Sequence, residues 1–105
     1  NNEGQINQTE SISAGLDYPG VRPIHCFLKD TKRARYTLAT DEAALEAYKM
    51  VTKFEKLNPS LEPSHAFAEA IRIAPKFNKN TIIIVNSCGD AKKDRDILKK
   101  RLGRY

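Results

Sequence analysis

A run of β-branched side chains at residues 81–85 constrains the fold more than any other feature of this sequence of 105 residues. Thr81 is followed by three isoleucines and a valine, with no polar residue between them. A short continuous run of this kind is typical of a strand that is covered on both faces, as in a parallel sheet. The run is also far shorter than the roughly 20 apolar residues that cross a bilayer, so no membrane span is predicted.

Helical patterns surround this strand. Thr40 as an N-cap, Pro63 as a first helical residue and Gly103 as a C-cap bound the predicted helices. The order strand, helix, helix, strand, helix is an α/β arrangement with a parallel pair. Two strands form a poor sheet by themselves, so further strands are expected elsewhere in the protein. The predicted elements are a strand at 34–39, a helix at 41–56, a helix at 63–74, a strand at 81–85 and a helix at 91–102.

The chain is long enough for one domain at most. Residues 1–10 are polar apart from Ile6 and are interpreted as a connector, whereas residues 11–105 form the α/β portion. At its start, residues 11–30 contain several glycines and prolines and are expected to be a loop region with a short helix that opens at Pro23.

Positive charge is concentrated towards the end of the sequence. The formal net charge is +5 and the isoelectric point is about 9.3, with much of the excess in residues 92–101. One interpretation is a basic module that binds nucleic acid, and the other is a solvated helix face. No aromatic residues interleave with these charges to stack on bases, which favours the solvated face.

The two cysteines, Cys26 and Cys88, have no spacing that matches a structural zinc site. Isolated cysteines are typical of free thiols in the cytoplasm, and a cytoplasmic location is expected. A disulfide between the two residues is the alternative.

Three positions are candidate sites on their residue types alone. The turn at residues 88–90 follows a predicted parallel strand and precedes a helix, where α/β proteins bind ligands, although a simple connection is the alternative. Asp17 lies in the loop region. Its carboxylate either orients a ligand or stabilises a turn of the backbone. Glu62 precedes Pro63 and is either an acid/base group or a carboxylate that the helix dipole stabilises.

Three segments together resemble one enzyme family. The first is residues 5–28, with SISAGLDYPGV at 11–21 followed by Pro23 and His25. The second is YTLATDEAALEA at 36–47 followed by PSLEPSHA at 59–66, and the third is IIIVNSCG at 82–89. In order and spacing they are similar to the C-terminal part of the tryptophan synthase β chain family over essentially the whole sequence. The first segment argues against another pyridoxal-phosphate enzyme of the same fold type, such as a serine or threonine dehydratase, which is a further alternative.

The resemblance implies a pyridoxal-phosphate enzyme of the β-eliminating fold type with a parallel sheet. Such an enzyme replaces the hydroxyl group of L-serine with indole to give L-tryptophan. The resemblance also implies a homodimer, and an α subunit as the source of indole. In the family, the lysine that binds the cofactor and the glycine-rich phosphate loop lie upstream of the matched region, so the isolated chain is expected to be inactive.

The resemblance assigns roles to residues of the first two segments. Asp17 matches an aspartate that contacts the serine hydroxyl group, and Gly15 matches a glycine close to substrate and cofactor. The backbone carbonyls of Tyr18 and Gly20 match ligands of a monovalent cation, Na⁺ or K⁺. Glu62 matches a glutamate beside the cofactor ring that serves in acid/base steps.

The third segment departs from the family pattern. An ungapped match keeps Gly89, Lys93 and Asp94, and it places Cys88 where the family has a serine that meets the pyridine nitrogen of the cofactor. If the register slips by one residue, Ser87 takes that role. A thiol is a weaker hydrogen-bond donor than a hydroxyl group.

Charges around this turn are also reversed. Asp90 and Lys92 stand where the family has an arginine and an aspartate, and Arg22 replaces a family glycine in the first segment. The ion pairs that close the site in the family are therefore expected to differ in this chain.

Overall fold

The computed structural model describes residues 2–3, 5, 7, 10–16, 20–89 and 91–103. Contacts divide the chain into two compact units, an N-terminal unit, Asn1–Thr37, and a C-terminal unit, Leu38–Tyr105. Within the described residues, no helix combines the length and the apolar character that a membrane span requires.

The N-terminal unit contains a short 3-10 helix, Ala14–Leu16, and helix α1, Pro23–Asp30. Pro23 opens α1, as predicted, because its fixed φ angle suits the first helical turn. After α1 the chain turns back along the helix, and a hydrogen bond of 2.9 Å joins Nδ1 of His25 to the hydroxyl group of Tyr36. The end of the unit is thereby attached to α1.

The helices of the C-terminal unit are close to the predicted ones. Thr40 caps the first of them, because its hydroxyl group accepts a hydrogen bond from the N–H of Ala43 at 3.1 Å. Gly103 ends the last helix in a left-handed conformation with φ of 72°. Both caps were predicted. The helices are α2, Asp41–Glu55, α3, Leu61–Ile73, and α4, Arg95–Leu102, with 3-10 helices at Ala74–Lys76 and Ala91–Asp94.

The core of this unit lies where α2 packs against α3. The α2 side chains in it are three and four residues apart, which is the spacing of one helix face. Leu61 at the start of α3 and Leu98 in α4 are fully buried, so a leucine anchors each of these helices. The buried apolar residues are Ala44, Leu45, Ala47, Tyr48, Val51, Leu61, Ala91 and Leu98.

The two predicted strands are not found among the described residues. Residues 34–39 and 81–85 lie outside any helix or strand. Leu38, Ile82 and Ile84 are 96%, 86% and 87% exposed. A strand needs a neighbour that pairs with its N–H and C=O groups, and the described part of the chain supplies none for these segments. The described fold is therefore helical, and the parallel sheet with its strand order stays a prediction.

Candidate functional site

A carboxylate from a distant part of the sequence holds the N-terminus of α3. The backbone N–H of Leu61 donates a hydrogen bond of 2.8 Å to Oδ2 of Asp94, 33 residues further along the chain. Asp94 is only 2% exposed. The free N–H groups and the dipole of a helix N-terminus stabilise a carboxylate in this position. This contact explains why α3 begins at Leu61 and not at Pro63, the predicted start.

Ser60, which precedes α3, does not act as an ordinary N-cap. Its hydroxyl group donates a hydrogen bond of 2.9 Å to the backbone carbonyl of Cys88. Ser60 is 1% exposed, so the donor of this bond is buried, whereas Cys88 is exposed. The turn that follows residues 81–85 is thereby tied to the start of α3.

Gly89 fits closely against this contact. Its φ angle of +92° lies in the left-handed region, which glycine adopts without strain. A Cβ atom at this position would lie 2.7 Å from Oγ of Ser60. The backbone angle and the available space therefore both require glycine. The neighbouring side chains of Ser87 and Cys88 are exposed, and Cys88 carries a free thiol.

Glu62 and Lys93 form an ion pair at the same end of α3. Nζ of Lys93 donates to both carboxylate oxygens of Glu62, at 2.8 and 2.7 Å. It also donates to Oδ1 of Asp94 at 2.9 Å, so one ammonium group lies between two carboxylates. Desolvation lowers the pKa of Lys93, but the hydrogen bonds and charges of Glu62 and Asp94 outweigh it and raise this pKa above its usual value.

The resemblance assigns this end of α3 to the ring side of pyridoxal phosphate, and the polar groups found here are chemically compatible with that assignment. Ser87 and Cys88 present a hydroxyl group and a thiol on a turn whose backbone is fixed by Ser60. Either group is able to donate a hydrogen bond to a ring nitrogen. Glu62 adds a carboxylate whose side chain is 23% exposed and whose two oxygens both accept hydrogen bonds from Lys93.

The remaining predicted residues belong to the N-terminal unit. Gly15 lies in the exposed 3-10 helix, and Gly20 is half-buried. Asp17 and Tyr18 lie outside the described residues. Ser13 precedes the 3-10 helix and is fully buried, and its hydroxyl group has no hydrogen-bond partner among the described residues.

The resemblance keeps Lys93 and Asp94 but assigns no role to them or to Ser60, although these residues hold the predicted site of the C-terminal unit together. A serine before a helix does suggest a local N-cap. The Ser60 hydroxyl group instead binds a carbonyl 28 residues away, for which the sequence carries no local signal. Of the positions that depart from the family pattern, Arg22 and Lys92 are exposed, and Asp90 lies outside the described residues.

The chain is similar to curated proteins named tryptophan synthase beta chain. One from Fusobacterium nucleatum is 53% identical over 94 residues, which are 90% of this chain and 24% of the relative. One from Bordetella petrii is 48% identical over 103 residues, which are 98% of this chain and 26% of the relative. One from Cereibacter sphaeroides is 50% identical over 101 residues, which are 96% of this chain and 25% of the relative. No protein-family model matches the chain.

The chain spans about a quarter of the length of the curated relatives that it matches. Within that quarter, the identity extends over nearly the whole chain and is not limited to the motif at residues 11–21. The chain therefore belongs to the tryptophan synthase β chain family, to whose C-terminal part its motifs correspond.

Proposed function

We propose that this chain is the C-terminal part of a tryptophan synthase β chain, which in the complete enzyme joins L-serine and indole to form L-tryptophan. An identity of 48% to 53% over 90% to 98% of the chain, to proteins of that name, carries the proposal. The geometry supports it, because the residues that the family pattern assigns to the cofactor ring lie on elements that meet at one end of α3.

The C-terminal unit is proposed to contact the cofactor, pyridoxal phosphate, which supplies an electron sink to the bound amino acid. Cys88 or Ser87 donates a hydrogen bond to the ring nitrogen, and Gly89 allows the backbone to turn beside it. Glu62 accepts and returns a proton next to the ring, because its carboxylate is partly exposed and is held at the start of a helix.

The N-terminal unit is proposed to contact the substrate. Asp17 accepts a hydrogen bond from the hydroxyl group of L-serine, and Gly15 leaves room for substrate and cofactor. The backbone carbonyls of Tyr18 and Gly20 bind a monovalent cation, Na⁺ or K⁺. The complete enzyme is proposed to be a cytoplasmic homodimer that receives indole from an α subunit.

A chimeric enzyme tests the proposal. The matched quarter of the Fusobacterium nucleatum relative is replaced by this chain, and tryptophan formation from L-serine and indole is measured. We expect the chimera to form tryptophan and its Asp17→Asn variant to be slower by about 100-fold, because the serine hydroxyl group loses its orienting contact. The isolated chain is expected to form none. A chimera that folds and binds the cofactor but forms no tryptophan contradicts the proposal.

A further inference from the structure

The pair of Glu62 and Lys93 joins two elements that are distant in the sequence. Glu62 lies in the first turn of α3, and Lys93 lies in the 3-10 helix Ala91–Asp94, 31 residues further on. Both carboxylate oxygens of Glu62 are within hydrogen-bonding distance of Nζ of Lys93, at 2.8 and 2.7 Å. Because both oxygens are engaged, the contact restricts the rotation of the carboxylate as well as its position.

Lys93 is itself held in place. Its Nζ donates to Oδ1 of Asp94 at 2.9 Å, and Oδ2 of the same carboxylate accepts from the N–H of Leu61 at 2.8 Å. Asp94 is nearly buried, so packing fixes its position. The ammonium group is therefore fixed relative to the start of α3 by contacts that do not pass through Glu62.

This ion pair is too exposed to stabilise the fold much, but it is able to orient the Glu62 carboxylate. The side chain of Lys93 is 42% exposed, and ion pairs this exposed contribute little to the free energy of unfolding. When Glu62 takes up a proton, its pairing with Lys93 weakens. Asp94 then remains beside the ammonium group, so Lys93 keeps a counter-ion when Glu62 is neutral.

We propose that Lys93 is a positioning residue that orients Glu62 for proton exchange with a ligand at this end of α3, with Asp94 as the permanent counter-ion of Lys93. The inference rests on the proposed function, in which Glu62 is the acid/base group. As Glu62 accepts a proton, an O–H bond forms at its carboxylate while the bond between that proton and the ligand atom breaks. The ligand atom keeps the electron pair, and the Lys93 ammonium group keeps its own protons throughout.

Carboxyl titration in the full chain tests the contact. The carbon NMR signal of the Glu62 carboxyl group is followed against pH in the unmodified chain and in Lys93→Met and Lys93→Arg variants. We expect the midpoint to move to higher pH in Lys93→Met, because a neighbouring cation favours the ionised carboxylate. Lys93→Arg should return it to near its original pH, because the positive charge is kept.

Lys100→Met removes an exposed charge of α4 and is the matched control, which should leave the Glu62 midpoint unchanged. Lys93→Gln is a second neutral variant, to be used if Lys93→Met does not fold. An unmoved Glu62 midpoint in a folded neutral variant would overturn the inference.

The chimera separates this inference from the proposed function. If the chimera with Lys93 intact forms no tryptophan, the proposed function is wrong. In an active chimera, Lys93→Met should lower kcat by roughly tenfold without raising the KM for indole, and should move the acidic limb of the pH profile to higher pH. Lys93→Arg should restore most of the kcat and most of the original position of the acidic limb. If an active Lys93→Met chimera keeps its kcat and pH profile, the positioning role is wrong and the function stands.

Discussion

Asp94 and Leu61 are joined by a hydrogen bond of 2.8 Å between a nearly buried carboxylate and the first N–H group of α3. The same carboxylate accepts a hydrogen bond of 2.9 Å from Lys93, the ion-pair partner of Glu62. One side chain therefore fixes both the start of the helix and the cation beside Glu62. The N-terminus of α3 depends in this way on a residue outside the helix.

Replacing Asp94 with alanine removes the acceptor of the Leu61 N–H. A buried N–H group without a partner costs about 1–3 kcal/mol, so we expect Asp94→Ala to lower the free energy of unfolding by about 2 kcal/mol. Urea denaturation of the chain, followed by circular dichroism, measures this value. Asp96→Ala, at an exposed position in the first turn of α4, is the matched control and should change it by less than about 0.5 kcal/mol. Equal stability of Asp94→Ala and the unmodified chain would contradict the role of this contact.

Gly89 and Gly103 allow backbone strain to be separated from lack of space. Both have positive φ angles, +92° and +72°, but only at Gly89 would a Cβ atom meet another atom, Oγ of Ser60 at 2.7 Å. Gly103→Ala should therefore cost about 1 kcal/mol, from strain alone. Gly89→Ala should cost about 2–3 kcal/mol, because Ser60 must also move. Thermal unfolding of the two variants provides the comparison, and a cost for Gly103→Ala equal to or above that for Gly89→Ala would argue against the close contact.

The raised pKa of Lys93 predicts a loss of stability in alkaline solution. In the unfolded chain the ammonium group loses its proton near its usual pKa of 10.5, and in the folded chain it does so at higher pH. The stabilising contribution is therefore complete below that usual value and is lost as pH rises through the folded-state pKa. As pH rises above that usual value, the free energy of unfolding should fall slightly more steeply for the unmodified chain than for Lys93→Met, and the difference is small because the Lys93 side chain is 42% exposed. Denaturation curves collected across this range that give parallel slopes would exclude the effect.

Replacing an isoleucine of residues 81–85 with a charged residue should have different effects on the isolated chain and on the chimera. Ile84 is 87% exposed in this structure, so Ile84→Lys should change the free energy of unfolding of the chain by less than about 0.5 kcal/mol. In the chimera, where the predicted sheet would bury the same side chain, an unpaired charge should prevent folding or reduce the yield of soluble protein. Gel filtration of both proteins tests this difference. A chimera that folds normally with Ile84→Lys would show that these residues do not form a buried strand.

The sequence predicts the helices well because their signals are local. Thr40 and Gly103 lie within one turn of the helix ends that they cap, so their residue types are informative by themselves. The run at residues 81–85 shows only a preference for strand, and a sheet also requires partner strands. The bonds of Ser60 and of Leu61 span 28 and 33 residues, so no periodic pattern marks them. For this reason the sequence indicates candidate site residues, but it does not indicate the contacts that hold the C-terminal ones in place.

The most direct test measures the initial rate of tryptophan formation by the chimera and by its Glu62→Gln variant. The first rate tests the proposed reaction, and the comparison tests the role of Glu62. Glutamine keeps the shape of the side chain but cannot accept and return a proton as a carboxylate does. We expect the chimera to work within about tenfold of the unmodified relative, and Glu62→Gln to be slower by about 100-fold or more. A folded chimera that forms no tryptophan, or one whose rate is unchanged by Glu62→Gln, would contradict the assignment of this chain to that reaction.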